Sequence, residues 1–331
     1  MVLIAAAMTT TPLHAQDGVG KPQEIKLSTA VAPAFPLGRA GERWAQAIND
    51  NAHGAYVVRQ FAGASLAGRD AAREFAALKD GAADMAVGSA LQWSAQFPAL
   101  GVYALPWLTA DGREQDALAR DASLRTQVFA RMEDAGVVAL AVAPLGERVL
   151  ATAKMPLDTP EMVKGLRVRV FALRPLIDVY IALGALPQAM SYADAQAAFA
   201  SGRLDGQDAM PTALAASQIY AYGQRFALRW GAFADVMVFA VRKATWDAWP
   251  EDRRALVRAA AEQAARETNA PAREEMALAE LTKQGVTIVR PSAAQRAALR
   301  TSAAPAIAVW RAAVGEDLVA AAEAAVAAAR K

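Results

Sequence analysis

The amino-acid sequence predicts an α/β fold made of two lobes, each a mainly parallel sheet flanked by helices. The 331 residues exceed what one ordinary hydrophobic core organises, so two domains are expected. A content of 55% hydrophobic and 21% charged residues is typical of a globular protein. Short apolar strands alternate with amphipathic helices, which is the rhythm of βαβ units around a parallel sheet.

The first 15 residues resemble the tail of a secretory signal peptide. An apolar run leads to small residues and ends in Leu13-His14-Ala15, before Gln16. The basic segment that opens such peptides is absent, which is consistent with a start upstream of Met1. We therefore expect export to the periplasm; the alternative is an Ala-rich tail. No later stretch reaches the roughly 20 apolar residues that a membrane span needs.

The first half of the chain predicts three strands separated by helices. Strands are expected at 25–31, 56–61 and 83–89, with helices at 38–52 and about 70–80.

Parallel strands of an open sheet bind ligands beyond their carboxyl ends. That rule predicts that the loops 32–37, 62–69 and 88–93, which follow the three strands, form one rim of a ligand site.

The second half continues the pattern. A helix at about 113–134 precedes a strand at 137–142, and further strands are expected at 165–170, 236–241 and 286–289. The other expected helices are 173–184, 192–201, 211–222, one long Ala-rich helix over 251–283 kinked by Pro271, and two helices after the last strand.

Composition excludes several functions. A formal charge of +2, from 35 basic and 33 acidic residues, excludes a strongly basic nucleic-acid binder. The absence of cysteine excludes disulfides, thiolate catalysis and Cys-ligated metals. Of the two histidines, His14 leaves with the signal, and His53 lies in a helix end and turn. We therefore expect no metal and no cofactor, and most histidine-based catalysis is excluded.

Seven phrases, in order, make the chain similar to the solute-binding proteins of tripartite ATP-independent periplasmic (TRAP) transporters, dicarboxylate-binding type. They are Gly41 to Ile48, Ala77 to Gly88, Leu105-Pro106-Trp107-Leu108, Thr159 to Val170, Leu183 to Pro187, Ser201 to Gln207, and Thr245 to Pro250.

The resemblance implies two α/β lobes with a cleft between them, crossing strands, and a long helix that spans both. Lobe I would be 25–145 plus 237–275, and lobe II 146–236 plus 276–331. A protein of this family binds a small organic acid in the cleft and delivers it to the membrane permease of the transporter. It carries no catalytic residues and binds no nucleic acid.

Arg169 is the expected centre of the ligand site. The family's central contact is an Arg on the strand after Lys/Arg-Gly-Leu, which is Arg169 in this sequence; the alternative is an interlobe or surface salt bridge. A guanidinium presents a planar fork of donors to a carboxylate and stays charged at any working pH. Arg148 follows the strand that enters lobe II and is a second candidate, with a hinge-region ion pair as the alternative. Arg167 is the substitute for Arg169, and Arg174 is expected to face solvent.

Gln207 and Asp208 are expected to line the cleft. They lie in Asp205-Gly206-Gln207-Asp208-Ala209, where the family more commonly has Asp-Gly-Gln-Glu-Asn. Ala209 thus replaces the Asn that would contact a ligand, which argues against a sialic acid or a simple dicarboxylate.

Aromatic residues near the expected rim indicate a ligand with an aromatic or apolar body and one carboxylate. Core packing is the alternative for each of them. The candidates are Phe35, Trp93, Phe171, Tyr192 and Trp230.

Two other functions remain open at this stage. One is a binding protein of another transporter or sensor class, which would share the lobes but not the ordered phrases. The other is a histidine-independent hydrolase, which would need two carboxyl groups facing each other across the cleft. Acidic residues such as Asp70, Glu74 and Asp235 are expected in solvated or capping positions instead.

Overall fold

The computed structural model describes residues 22–153, 159–190 and 192–331. The expected signal segment, 1–15, lies outside this part of the chain. Among the described helices, none combines the length and the apolar character needed to cross a bilayer.

The first half of the chain alternates strands and helices as predicted. Its elements are β1 (Gln23–Thr29), α1 (Pro36–Asn49), β2 (Tyr56–Phe61), α2 (Glu74–Asp80), β3 (Met85–Ser89), α3 (Ala90–Trp93), α4 (Gly112–Arg120), α5 (Ala122–Asp134) and β4 (Val137–Thr152), with 3₁₀ turns at Ser65–Ala67, Ala71–Arg73 and Pro98–Ala104.

The second half adds shorter strands and most of the helices. Its elements are α6 (Pro160–Val163), β5 (Arg167–Val170), α7 (Arg174–Ala182), β6 (Leu186–Ala189), α8 (Tyr192–Ala200), β7 (Gly206–Ala209), α9 (Pro211–Ala216), a 3₁₀ turn (Ile219–Tyr222), β8 (Phe226–Arg242), α10 (Lys243–Asp247), α11 (Glu251–Arg266), α12 (Ala270–Lys283), β9 (Thr287–Val289), α13 (Ala293–Ser302), α14 (Ala304–Val314) and α15 (Glu316–Ala329).

The described strands form one mixed sheet in the order β2-β1-β3-β8-β4-β7-β5-β6, with β9 beside β8. β1 is parallel to β2 and β3, and β5 is parallel to β6 and β7. The antiparallel strands β4 and β8 join these two groups. The fold is therefore α/β with two lobes, each with parallel strands at its centre.

β4 and β8 are much longer than the predicted 137–142 and 236–241. They span 16 and 17 residues, about 50 Å each at the usual rise per residue. The ladder shifts register between Pro144 and Gly146, so the strand passes the proline through an irregularity instead of ending there. Each long strand therefore contributes to both lobes.

The predicted helix over 251–283 is two helices, α11 and α12. Asn269 adopts a left-handed conformation, with φ of 39°, and Pro271 lies in the first turn of α12. Proline lacks the N–H that would continue an α-helical ladder, which favours a new start over a kink.

Two other predicted helices are also interrupted or shorter in the structure. The segment 113–134 divides at Asp121, whose carboxylate caps α5, and the segment 211–222 ends early as α9. Three helices follow β9 where two were predicted.

Two apolar clusters carry the packing. In the first, Trp44 of α1 packs edge-on against Phe239 of β8, and its indole N–H donates to the carbonyl of Val257 at 3.0 Å. The second surrounds Trp230 and Phe233 of β8 and includes Trp310 of α14. Alternate residues of β8 belong to the two clusters, so the clusters lie on opposite faces of the sheet.

Candidate functional site

A cavity of about 600 Å³ lies between the two groups of parallel strands. Its walls come from Phe35 after β1, from 69–72, from Ser89 at the end of β3, and from residues after β5, β6 and β7. Phe35, Arg69 and Ser89 lie in the loops predicted to form a rim. The volume is in the range of pockets that hold small molecules.

Arg169 lines this cavity from β5. Its neighbours Val168 and Val170 are fully buried on the other face of the strand, which turns the Arg169 side chain toward the cavity. Arg169 is 5% exposed, and its Nε donates to the carbonyl of Met190 at 3.1 Å. The guanidinium carbon lies 5.0 Å from the ring centre of Phe171.

Arg148 lines the cavity from β4 and is held from behind by Asp208 of β7. The Arg148 Nε donates to Asp208 Oδ1 in a buried ion pair, and Nη2 donates to the Asp208 carbonyl at 3.1 Å. The Tyr180 hydroxyl donates to Asp208 Oδ2 at 2.9 Å. Burial raises the pKa of Tyr180 well above its ordinary value, so it stays a donor. Arg148 thus contributes a neutralised, rigid guanidinium to the cavity wall.

Phe171 lies beneath both guanidinium groups. Its ring centre is 4.5 Å from the Arg148 guanidinium carbon, close to the corresponding Arg169 distance. Cation–π contacts of this kind orient the planar groups without using their N–H donors. The ring therefore does not compete with the in-plane hydrogen bonds, such as those from Arg148 to Asp208 and from Arg169 to Met190.

A buried carboxylate, Asp235 of β8, completes the inner wall. It accepts from Ser89 Oγ at 2.6 Å and from the backbone N–H groups of Leu91 and Val236 at 3.0 and 2.8 Å. Burial raises the pKa of Asp235 to about 6, although these hydrogen bonds and Arg148 lower it. The prediction of a solvated position for Asp235 was wrong, because the residue is fully buried. Its carboxylate does have the alternative capping role, since it accepts from the Leu91 N–H in the first turn of α3.

The two other acidic residues have different outcomes. Asp70, at the rim, accepts from the Ala72 N–H and caps a 3₁₀ turn, as expected. Glu74 is 1% exposed and accepts from Ser28 Oγ at 2.6 Å, so a solvated position was wrong.

The predicted aromatic site residues separate into two groups. Phe35 and Phe171 line the cavity. Trp93 and Trp230 are fully buried in the core, where they contact Phe75 and Phe233, and neither lines the cavity.

The polar candidates Gln207 and Asp208 lie behind the wall. Gln207 donates to Gln224 Oε1 at 3.4 Å, and Asp208 supports Arg148. The side chain of Tyr192 lies outside the described residues. Arg167 pairs with Asp205 at 2.8 Å, and Arg174 is 82% exposed and faces solvent as predicted.

Sequence reasoning missed the Ser89–Asp235 pair and the Met190 carbonyl. Ser89 falls in the predicted rim loop 88–93, so its position was accessible from the strand pattern. Asp235 had no such signal, because the predicted strand began at 236 while the structure extends β8 from Phe226.

A larger groove of about 1140 Å³ lies over β4, between α4 and α11. Three of its arginines pair with acidic residues at its surface: Arg43 with Glu267, Arg120 with Asp116, and Arg266 with Glu262. The described arginines of this groove are exposed or, for Arg125, half-buried, whereas Arg148 and Arg169 are buried, so the smaller cavity is the better candidate site.

Comparisons with known proteins agree on one family. The model for bacterial extracellular solute-binding protein, family 7 (DctP) matches residues 27–312. A solved TRAP periplasmic solute-binding protein from Ralstonia eutropha H16, with bound (S)-2-hydroxy-2-methyl-3-oxobutanoate, is 37% identical. It superposes with a TM-score of 0.87 over 92% of this chain and 98% of that one.

Two sequence relatives extend the comparison. The C4-dicarboxylate-binding periplasmic protein DctP of Rhodobacter capsulatus is 26% identical over 262 residues, which is 78% of this chain and 76% of that protein. An uncharacterized protein, y4mM, of Sinorhizobium fredii is 27% identical over 219 residues. That match covers 66% of this chain and 39% of the length of the relative.

Proposed function

Because the chain belongs to family 7 of the bacterial extracellular solute-binding proteins, the TRAP periplasmic type, we propose that its interlobe cavity captures a small organic acid. The captured acid is delivered to the permease subunits of a TRAP transporter in the membrane. The family is one of transport proteins, and the proposal assigns this chain no catalysis and no cofactor.

One observation carries the proposal: two guanidinium groups, 1% and 5% exposed, line a cavity large enough for a metabolite. Arg148 is held by Asp208, and we propose Arg169, which lines the cavity from β5, as the carboxylate anchor. A charge-assisted, bidentate contact in such a buried place is stronger than the same contact on an exposed surface.

The ligand we propose is a small acid with an apolar body. Phe35, Phe171 and Met210 contribute apolar walls beside the guanidinium groups. The bound acid of the Ralstonia eutropha relative, which has four backbone carbons and one methyl branch, is of this size and carries one carboxylate.

We propose further that the lobes, 25–145 plus 237–275 and 146–236 plus 276–331, close on the ligand about β4 and β8. Arg169 reaches the ligand from lobe II, and Phe35 and Ser89 from lobe I. A ligand that contacts both lobes favours the closed form through its higher affinity for it.

A thermal-shift screen of organic acids, followed by calorimetry, tests this function. A specific ligand raises the melting temperature by mass action. Arg169→Ala removes charge-assisted hydrogen bonds worth about 1.5–3 kcal/mol, so the dissociation constant should rise roughly ten- to hundredfold. Arg174→Ala is the matched control, because it removes an exposed Arg just beyond the same strand.

Two outcomes would contradict the proposal. Either no organic acid raises the melting temperature, or the Arg169→Ala protein binds its acid as tightly as the Arg174→Ala control.

A further inference from the structure

The wall of the cavity formed by Ser89 and Asp235 offers only acceptors. Asp235 lies on β8 and Ser89 at the end of the neighbouring strand β3. Both are buried, at 0% and 3% exposure, and both line the cavity.

The hydrogen bonds of the Asp235 carboxylate leave one of its acceptor sites open. Each carboxylate oxygen has about two acceptor sites. Oδ1 of Asp235 uses both, for the N–H groups of Leu91 and Val236. Oδ2 accepts from Ser89 Oγ, and among the described residues nothing fills its second site.

The Ser89 hydroxyl is committed in the same way. Its proton goes to Asp235, and its oxygen accepts from the Gln92 N–H at 3.1 Å. One acceptor site is left on Ser89 Oγ and no donor. The side chains of Ser89 and Asp235 can therefore accept a hydrogen bond from a ligand but cannot donate one.

We propose that Asp235, with Ser89, selects acids that carry a hydroxyl group, so that the ligand class is the hydroxy monocarboxylic acids. The inference rests on the proposed function: the carboxylate of the ligand lies at Arg169, and its hydroxyl donates to Asp235 Oδ2. Asp235 acts as a specificity-determining residue.

Charge excludes a second carboxylate at this wall. Of the charged residues that line the cavity, Arg69 and Asp70 are exposed at its rim, whereas Arg148, Arg169 and Asp235 are buried, with Arg148 paired to Asp208. A monoanion pairs with Arg169. The second carboxylate of a dianion would meet a like charge at Asp235, and the side chains of Asp235 and Ser89 have no donor to offer it, which costs affinity.

An ammonium group fits this wall less well than a hydroxyl. It brings three N–H donors, whereas Asp235 Oδ2 and Ser89 Oγ offer one acceptor site each. The ammonium group would also lie near another cation, the guanidinium of Arg148. That guanidinium is close enough to Asp235 for its charge to lower the pKa of the carboxyl group. A hydroxyl brings one donor and no charge.

Calorimetry with matched probes tests the inference at pH 8, where Asp235 is ionised. The probes are 3-methylbutanoate, its 2-hydroxy and 3-hydroxy forms, valine as the 2-amino form, and succinate. We expect at least one hydroxy form to bind tenfold or more tightly than the other three. The pair of hydroxy forms covers both hydroxyl positions.

Asp235→Asn is the diagnostic variant, since it keeps the shape but places an N–H donor in the wall. We expect the hydroxy preference to fall below threefold and succinate to gain affinity relative to the wild-type protein. Far- and near-ultraviolet circular dichroism checks its fold. If this variant does not fold, the ranking of probes by the wild-type protein still decides.

The inference is overturned if 3-methylbutanoate binds within threefold of both hydroxy forms, or if valine or succinate binds most tightly. It is also overturned if folded Asp235→Asn protein keeps the wild-type ranking. Those results leave the proposed function intact as long as binding depends on Arg169. If none of the five probes binds, the inference is overturned, and the thermal-shift screen with the Arg169→Ala protein decides the proposed function separately.

Discussion

At the scale of single residues, the site depends on how each buried charge is compensated. The guanidinium of Arg148 has an ion pair with Asp208, and Tyr180 satisfies the other oxygen of that carboxylate. A buried charge without such partners costs several kcal/mol. The alternative raised for Arg148, an ion pair at the crossing strands, and its place in the cavity are therefore compatible.

Glu74 is a buried carboxyl with weaker compensation. Within the described part of the chain, Oε1 accepts from Ser28 Oγ while Oε2 has no hydrogen-bond partner, and burial raises the pKa of Glu74 to about 7. Since the raised pKa means that the native state binds the proton more tightly, Glu74 stabilises the fold least above pH 7. The stability it contributes is present at low pH and is lost as the pH rises from about 4.5 to 7.

Glu74→Gln should remove that dependence. The amide keeps an acceptor for Ser28 but does not titrate, so relative to the wild type the variant should gain about 1–3 kcal/mol in free energy of unfolding between pH 5 and pH 8. Urea denaturation at the two pH values measures it, with the exposed Glu24→Gln as control. Parallel pH profiles of wild type and Glu74→Gln would contradict the assignment.

At the scale of elements, the corner between β3 and α3 positions the acceptor wall. Ser89 is the N-cap of α3, and the turn brings Trp93 back over Gly88. A Cβ on Gly88 would lie 1.9 Å from the indole of Trp93, which is fully buried against Phe75. Only glycine permits this close approach.

Gly88→Ala should therefore destabilise the protein. The added methyl group forces the Trp93 ring or the strand to move, and overpacking of a tight core costs about 1–3 kcal/mol. Chemical denaturation measures the loss. Gly112→Ala is the control, because a Cβ there meets Pro271 at an ordinary 3.4 Å. Equal stability of the two variants would show that the corner adjusts.

At the scale of the whole molecule, β4 and β8 decide what can move. They are the long antiparallel strands that join the parallel strands of the two lobes, and α12 packs beside β4 after the break from α11. The C-terminal helices add further contacts: α15 packs on α4 and α5, and α14 on α7. Closure of the lobes would have to bend β4 and β8 while each group of parallel strands keeps its structure.

Ligand-induced closure should be visible by small-angle X-ray scattering. A compact chain of this length has a radius of gyration of about 20 Å. A saturating acid from the thermal-shift screen should lower that radius in the wild-type protein, because the ligand favours the closed form. The Arg169→Ala protein at the same acid concentration should keep the larger value. A radius that does not change on saturation would contradict a hinge mechanism.

Local pattern was sufficient for the parts of the fold that depend on local physics. Alternation along 165–170 turned Arg169 to one face between two buried valines, and the strand–helix rhythm located the loops of Phe35, Arg69 and Ser89 at one rim. Both signals arise within a few residues, where hydrophobic periodicity is reliable.

The sequence by itself determined the α/β class, the family and the position of Arg169, the proposed anchor, on a cavity-facing strand, because each depends on short segments. Only the tertiary structure decided the partner of Arg148, which lies 60 residues away, and the pairing of Ser89 with Asp235, which spans 146 residues. It also assigned Trp93 and Trp230 to the core. The physical reason is that β4 and β8 acquire their length and register by pairing with strands distant in sequence, which leaves no local periodic signal.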